Sequence, residues 1–244
     1  MEKKILNIFG AVCFYGILLL VVCSMITDVG LWVEYLNPKV TSQATSIIDT
    51  SNDPIQRDLN GKDYIKAKGE RKNFILNLQA EYSISGLVVA KNTNFWFRDL
   101  MRNNFDDICL VDLGIAWGEL SKNKTELYKN WTFKSQKTLG EARRLSWYCP
   151  DARKSPWNVD YVSYHVSHTH MIPATKNVMK ALSAIKKNDI VKLDGYLVDI
   201  YTDKTETVAK TSLSRTDTDP TSRGYGACED MYVKQVQIGD KIYR

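Results

Sequence analysis

An almost wholly apolar run from Ile5 to Ile26, free of Asp, Glu, Lys, Arg and His, constrains this chain more than any other feature. At about 1.5 Å per residue it is roughly 33 Å long as a helix, enough to cross a hydrocarbon core of about 30 Å. Lys3 and Lys4 precede it, whereas Asp28 and Glu34 follow it. The positive-inside bias therefore sets the N-terminus in the cytoplasm and everything after residue 27 outside. Trp32 and Tyr35 fall just past the run, where amphipathic rings favour the headgroup zone. The run is longer than a signal-peptide core and no A-x-A site follows it, so an uncleaved signal anchor is expected. That divides the chain into a cytoplasmic tail (1–4), a transmembrane helix (5–27) and an external remainder.

No second stretch could cross a bilayer, which excludes a polytopic transporter. Hydrophobic residues are 44% of the 244 and charged residues 25%, a balance that disordered and collagen-like chains do not have. Residues 28–72 are polar and broken by Pro38, Pro54 and Gly61, so they read as a linker or stalk. A folded domain is expected over 73–244.

Within it, Tyr82–Ala90 alternates and is rich in β-branched residues, with Gly86 at a bulge. Ile108–Trp117, Arg143–Cys149, Tyr161–Ile172, Ile190–Tyr201, Thr207–Leu213 and Met231–Ile238 are further strand candidates. Gly195 interrupts the fifth as a barrel corner would. Pro173 opens a helical segment carrying Val178, Ala181, Leu182 and Ile185 on one face. The expected fold is mainly β with one inserted helix (α+β). It is a small antiparallel β-barrel or sandwich, with an oligonucleotide/oligosaccharide-binding (OB) barrel as one option, behind one N-terminal transmembrane helix.

Cys109, Cys149 and Cys228 would all lie in an oxidising compartment. Three is odd, so one bridge and one leftover buried thiol are expected, with the pairing open. Cys13 and Cys23 read as small hydrophobes within the anchor.

All three histidines fall within six residues. On a strand, His168 and His170 share a face and His165 points the other way. Two imidazoles can grip zinc or copper only if a third ligand arrives from elsewhere, such as Cys149 or an acid. The alternative is a polar strand end near a barrel mouth. Among the acids, Asp203, Asp217, Asp219, Glu229 and Asp230 would converge if the loop after Leu213 folds back, although the EF-hand spacing fails. A metal-dependent hydrolase would then use His170, Asp217 and Glu229. No G-x-S-x-G elbow occurs, and no motif calls for a cofactor.

Residues 120–160 hold nine basic groups against four acids, interleaved with aromatics. Lys129, Trp131, Lys134, Arg143, Arg144 and Trp147 are the candidate binding residues of this segment. Cations among aromatic platforms suit single-stranded nucleic acid or an anionic glycan. The same pattern also fits a hairpin whose aromatics turn into the core.

Five short strings, Ala116–Trp117–Gly118, Ser167–Pro173 (SHTHMIP), Gly195–Asp199 (GYLVD), Ser214–Asp217 (SRTD) and Gly226–Glu229 (GACE), together resemble a family of uncharacterised single-pass bacterial membrane proteins. Their small external domains are matched here over roughly residues 80–240. Family members tend to read D-x-G-x-G before the GACE string, where this chain has Asp217, Thr218 and Asp219 and a longer insert to Gly224. The resemblance implies a bacterial inner membrane with a periplasmic domain and no assigned activity. The leading expectation is a membrane-anchored binding module for an envelope protein or glycan, nucleic acid being a less available partner outside the cytoplasm. A metal-dependent, phosphodiesterase-like hydrolase is the alternative.

Overall fold

The computed structural model describes residues 37–93, 103–137, 143–213 and 228–244. Its strands, in chain order, are β1 (Ser42–Gln43), β2 (Ile55–Asp58), β3 (Tyr64–Lys68), β4 (Asn73–Thr93), β5 (Val111–Ala116), β6 (Thr132–Lys137), β7 (Arg143–Tyr148), β8 (Val166–Pro173), β9 (Ile190–Thr202), β10 (Thr207–Ala209), β11 (Cys228–Ile238) and β12 (Lys241–Tyr243). The helices are short: α1 (Asn104–Ile108), α2 (Glu119–Lys122), α3 (Lys124–Asn130), α4 (Val159–Tyr164) and α5 (Lys176–Ala184). The protein is mainly β, as expected, and its sheet is large and mixed.

The backbone of the fold is β4, whose buried and half-buried residues alternate from Phe74 to Gly86 as a strand with one covered face requires. Its first part pairs antiparallel with β9, and its last part pairs antiparallel with β5. Register shifts at Leu78/Ala80 and Val88/Ala90 let the strand bend between these partners. Gly86 sits at the handover, where a Cβ would run into the Ala116 carbonyl, so only glycine fits. From β5 the pairing passes antiparallel to β8, then parallel to β11, then antiparallel from β11 to β9. These five pairings return to their starting strand. Gly195 of β9 faces the Tyr232 carbonyl too closely for any side chain, beside the register shift in β11.

The residues pointing inward form the main core, among them Tyr82, Ile84, Leu113, Ile115, Met171, Leu193, Leu197, Met231 and Val233. Helix α5 packs Val178, Ala181 and Leu182 into that same cluster. Outside it, helices α2, α3 and α4 and the β6–β7 hairpin cover Leu87, Val89 and Ala90. A third cluster joins Phe74, Leu76, Ile108, Cys109, Ile172 and Ile200.

Several expectations are corrected. The stalk read between residues 37 and 72 is strapped to the domain: β1 pairs with β12, and β2 and β3 pair with β4. Trp117 Nε1 donates to Asp53 at 2.9 Å, and Gly118 N–H donates to the Thr50 carbonyl at 2.8 Å. Polarity in this segment marks short, exposed edge strands rather than a tether. The strand expected at Tyr161–Ile172 begins only at Val166, because Asn158 caps α4 by accepting from Tyr161 N–H at 2.7 Å. The strand expected from Ile108 starts at Val111, since a capping box between Asn103 and Asp106 nucleates α1. Pro173 closes β8 instead of opening a helix, and Thr175 is the cap of α5. The strand expected at Thr207–Leu213 ends at Ala209. Among the described residues, five α-helices stand where one inserted helix was expected. No helix among the described residues is long and apolar enough to cross a membrane, and the Ile5–Ile26 run lies outside them.

Candidate metal centre

Strand β8 carries the site because β5 flanks it on one side and β11 on the other. In the parallel β8–β11 register, Cys228 stands opposite His168 and Asp230 opposite His170. Across the β5–β8 pair, Asp112 stands opposite His170. The small Gly114 opposite His168 leaves room for Leu145 of the hairpin to close over the strands. Period-two geometry turns His168, His170, Cys228, Asp230 and Asp112 to one face, away from the main core.

One nitrogen each from His168 and His170 and the Cys228 sulfur lie within 4.8 Å of one another. Cys228 Sγ is 3.5 Å from His168 Nδ1, and the two imidazole rings meet edge-on with centroids 4.6 Å apart. A tetrahedral zinc site, with Zn–S near about 2.3 Å and Zn–N near about 2.0–2.1 Å, sets its nitrogen and sulfur ligands roughly 3.6 Å apart. The spacing between Cys228 and His168 therefore suits zinc without rearrangement.

The surroundings orient these ligands. His170 Nδ1 is bonded to Asp112 Oδ1 at 2.8 Å, which leaves Nε2 as the free ring nitrogen, the usual arrangement behind a metal-bound histidine. Arg143, from β7, reaches the same Asp112 oxygen at 3.1 Å and donates to the Cys109 carbonyl at 2.8 Å. Its guanidinium lies over the Phe105 ring at 4.8 Å. Ser135 Oγ of β6 is 3.4 Å from His168 Nε2. His168 and His170 are 4% and 3% exposed, so the pair is enclosed rather than set at a rim.

Electrostatics follow from this burial. Desolvation, with His170 beside it, pulls the His168 imidazole down to about 3, so it is neutral and able to donate its lone pair. Burial by itself would raise the Asp112 carboxyl; the His170 hydrogen bond and the Arg143 guanidinium help outweigh it, and the group is held below its ordinary range. Burial pushes Asp230 up to about 8 despite Arg143, and it drives the Cys109 thiol well above its usual value.

The sequence-derived candidates divide accordingly. His168 and His170 come together on one face, as expected, but the third donor atom beside them belongs to Cys228 rather than to Cys149 or an acid. His170 and Glu229 do not converge, because Glu229 points to the inner face and accepts from Ser167 Oγ at 2.9 Å. Asp217 and Asp219 lie outside the described residues. Asp203 sits in a turn beside Asn73, away from the centre. In the basic–aromatic segment, Trp131 and Arg143 are buried and Trp147 packs on the second cluster, so these three are not an open binding surface. Lys129, Lys134 and Arg144 are exposed. The expected bridge is absent among the described residues: no disulfide joins Cys109, Cys149 and Cys228. They are held apart by the packing, with Cys109 in the third cluster, Cys149 against the second and Cys228 beside His168.

Sequence reasoning missed Cys228, Asp112 and the inward role of Arg143. The only local signal was the H-x-H spacing; the partners come from strands that just the fold brings alongside. Comparison of the chain with protein families, curated proteins and solved structures returned no match.

Proposed function

We propose that this protein is a metal-dependent hydrolase of the bacterial envelope, holding one zinc ion at His168, His170 and Cys228. The observation that carries the reading is the convergence of their three ligand atoms within 4.8 Å, with Asp112 already fixing the His170 ring. Soft thiolate and imidazole donors favour zinc over magnesium or calcium. Three protein ligands leave a fourth position for water or substrate, which is the catalytic rather than the structural pattern. Zinc there would lower the pKa of a bound water to about 7 and polarise a carbonyl or phosphoryl oxygen. The protein's own contribution is to hold His170 through Asp112, to pin Asp112 through Arg143, and to keep the centre dry beneath the β6–β7 hairpin.

The scaffold we assign is an OB-type barrel. Its support is the pairing circuit: numbered along the chain from β4, the five strands follow the order first, second, third, fifth, fourth and back to first. The third and fifth are parallel, and α5 lies between the third and fourth. The Ile5–Ile26 run and the lysines before it support a single-pass anchor with the barrel on the periplasmic side, in keeping with the family resemblance.

A second reading, a binding module for an envelope protein or glycan, is favoured by the outward face of the hairpin. Lys134, Arg144 and Tyr148, the last 66% exposed, stand together there. Elemental analysis of the purified full-length protein tests the first reading against the second. About one zinc per chain, lost in a Cys228→Ser protein, is expected. A metal-free protein that still captures an envelope partner would leave only the binding module.

A further inference from the structure

Arg143 is an unusual guanidinium because only part of it is used. Its side chain is 1% exposed, and Nη1 is satisfied by the Cys109 carbonyl and by Asp112. Nε and Nη2 are buried without a hydrogen-bond partner. The nearest carboxylate oxygen to Nε given by the structure, from Asp106, stands 3.8 Å away, beyond hydrogen-bond range. Nε and Nη2 are the two donors of one guanidinium edge, and that edge is the fork that matches two oxygens of a carboxylate or phosphate. Two acceptors nearby, Asp112 Oδ2 and Asp230 Oδ1, are buried and unpartnered too. Buried polar atoms are almost always paired, so four orphans of both kinds in one enclosed patch point to a polar guest.

We infer that the centre binds an oxyanion, a carboxylate or phosphate group, gripped by the Nε–Nη2 edge of Arg143 beside the metal. This deepens the hydrolase reading and rests on it, because it names the substrate's anionic group. The patch explains the dependence on metal. Arg143 is already flanked by the carboxylates of Asp106 and Asp112, so its fork alone makes a poor anion site, and the cation supplies the missing positive charge. Asp230 Oδ1 and Asp112 Oδ2 accept from a hydroxyl or water on the same guest. Arg143 is joined to the ligand set through a single oxygen, since Asp112 Oδ1 touches both it and His170.

The test uses the full-length protein loaded with cobalt(II), whose visible absorption reports the coordination sphere and whose thiolate charge-transfer band reports Cys228. Inorganic phosphate and acetate are titrated separately. A saturable spectral change with at least one of them is expected, and the anion that acts at the lower concentration identifies the class. Arg143→Lys, which keeps the charge but loses the fork, is expected to need about tenfold more anion for the same fractional spectral change. Calorimetry on wild-type protein stripped of metal provides a readout independent of that variant, and no anion binding is expected there. The inference is overturned by a cobalt spectrum that neither anion alters, by equal anion affinity in Arg143→Lys, or by undiminished binding without metal. Absence of the cobalt–thiolate band would instead remove the metal centre itself, and the anion site with it.

Discussion

Strands β8 and β11 build two polar clusters from alternate residues, and the two differ in kind. On the inner face, Ser167 Oγ is 2.6 Å from Thr169 Oγ1 and donates to Glu229 at 2.9 Å. On the outer face, His168, His170, Cys228 and Asp230 join Asp112 and Arg143, and several of their buried atoms lack partners. No buried side-chain atom of the inner group lacks a hydrogen-bond partner, which is how structural polar residues are tolerated within an apolar core. The outer group is arranged around something additional. Both clusters are polar and largely buried, so burial and polarity alone do not mark a site; unanswered donors and converging lone pairs do.

The largest way to break this comparison is to remove an outer ligand. His170→Ala or Cys228→Ser should weaken zinc binding by about a thousandfold or more, read by competition with a chromogenic chelator. If either variant binds zinc like wild type, the outer cluster is no different in kind from the inner one. Asp112→Asn keeps the shape but not the charge behind His170, and should cost about 10–100-fold in zinc affinity. The inner cluster should behave in the opposite sense. Ser167→Ala leaves Glu229 short of one donor and should lower unfolding stability by about 1–3 kcal/mol, with zinc affinity unchanged. A loss of zinc there would merge the two faces into one site.

The smallest effect sharpens the contrast from a third position. Lys91 caps the end of α5, donating to the carbonyls of Leu182, Ser183 and Ile185 at 3.1, 2.7 and 2.6 Å. Burial pulls its ammonium down to about 8, with Asp189 opposing. Between that value and the ordinary 10.5 of the unfolded chain, the unfolded state binds more protons, so this group makes stability rise with pH across that window. Lys91→Met should flatten that rise in denaturant titrations while leaving zinc binding untouched.

Much of the β framework was legible from residue patterns. The alternation in Tyr82–Ala90 and the strand-like runs Ile190–Tyr201 and Met231–Ile238 fall within β4, β9 and β11, and spacing of two residues placed His168 and His170 together. The boundaries were not legible, because Asn103, Asn158 and Thr175 decide where α1, α4 and α5 begin, and capping residues look like ordinary loop residues in an isolated string. The third ligand was hidden for a deeper reason. Cys228 meets His168 only through a parallel pairing between strands that α5, β9 and β10 separate in the chain, and no local period encodes that. Arg143 misled because its neighbours are basic and aromatic, yet alternation along β7 turns Arg143 inward and Arg144 outward.

The most direct measurement of the central claim is X-ray absorption at the zinc edge on the purified full-length protein. The account predicts one sulfur near about 2.3 Å, two imidazole nitrogens near about 2.0–2.1 Å and one further light atom. Protein that holds no zinc, or zinc with a shell of nitrogen and oxygen alone, would contradict it.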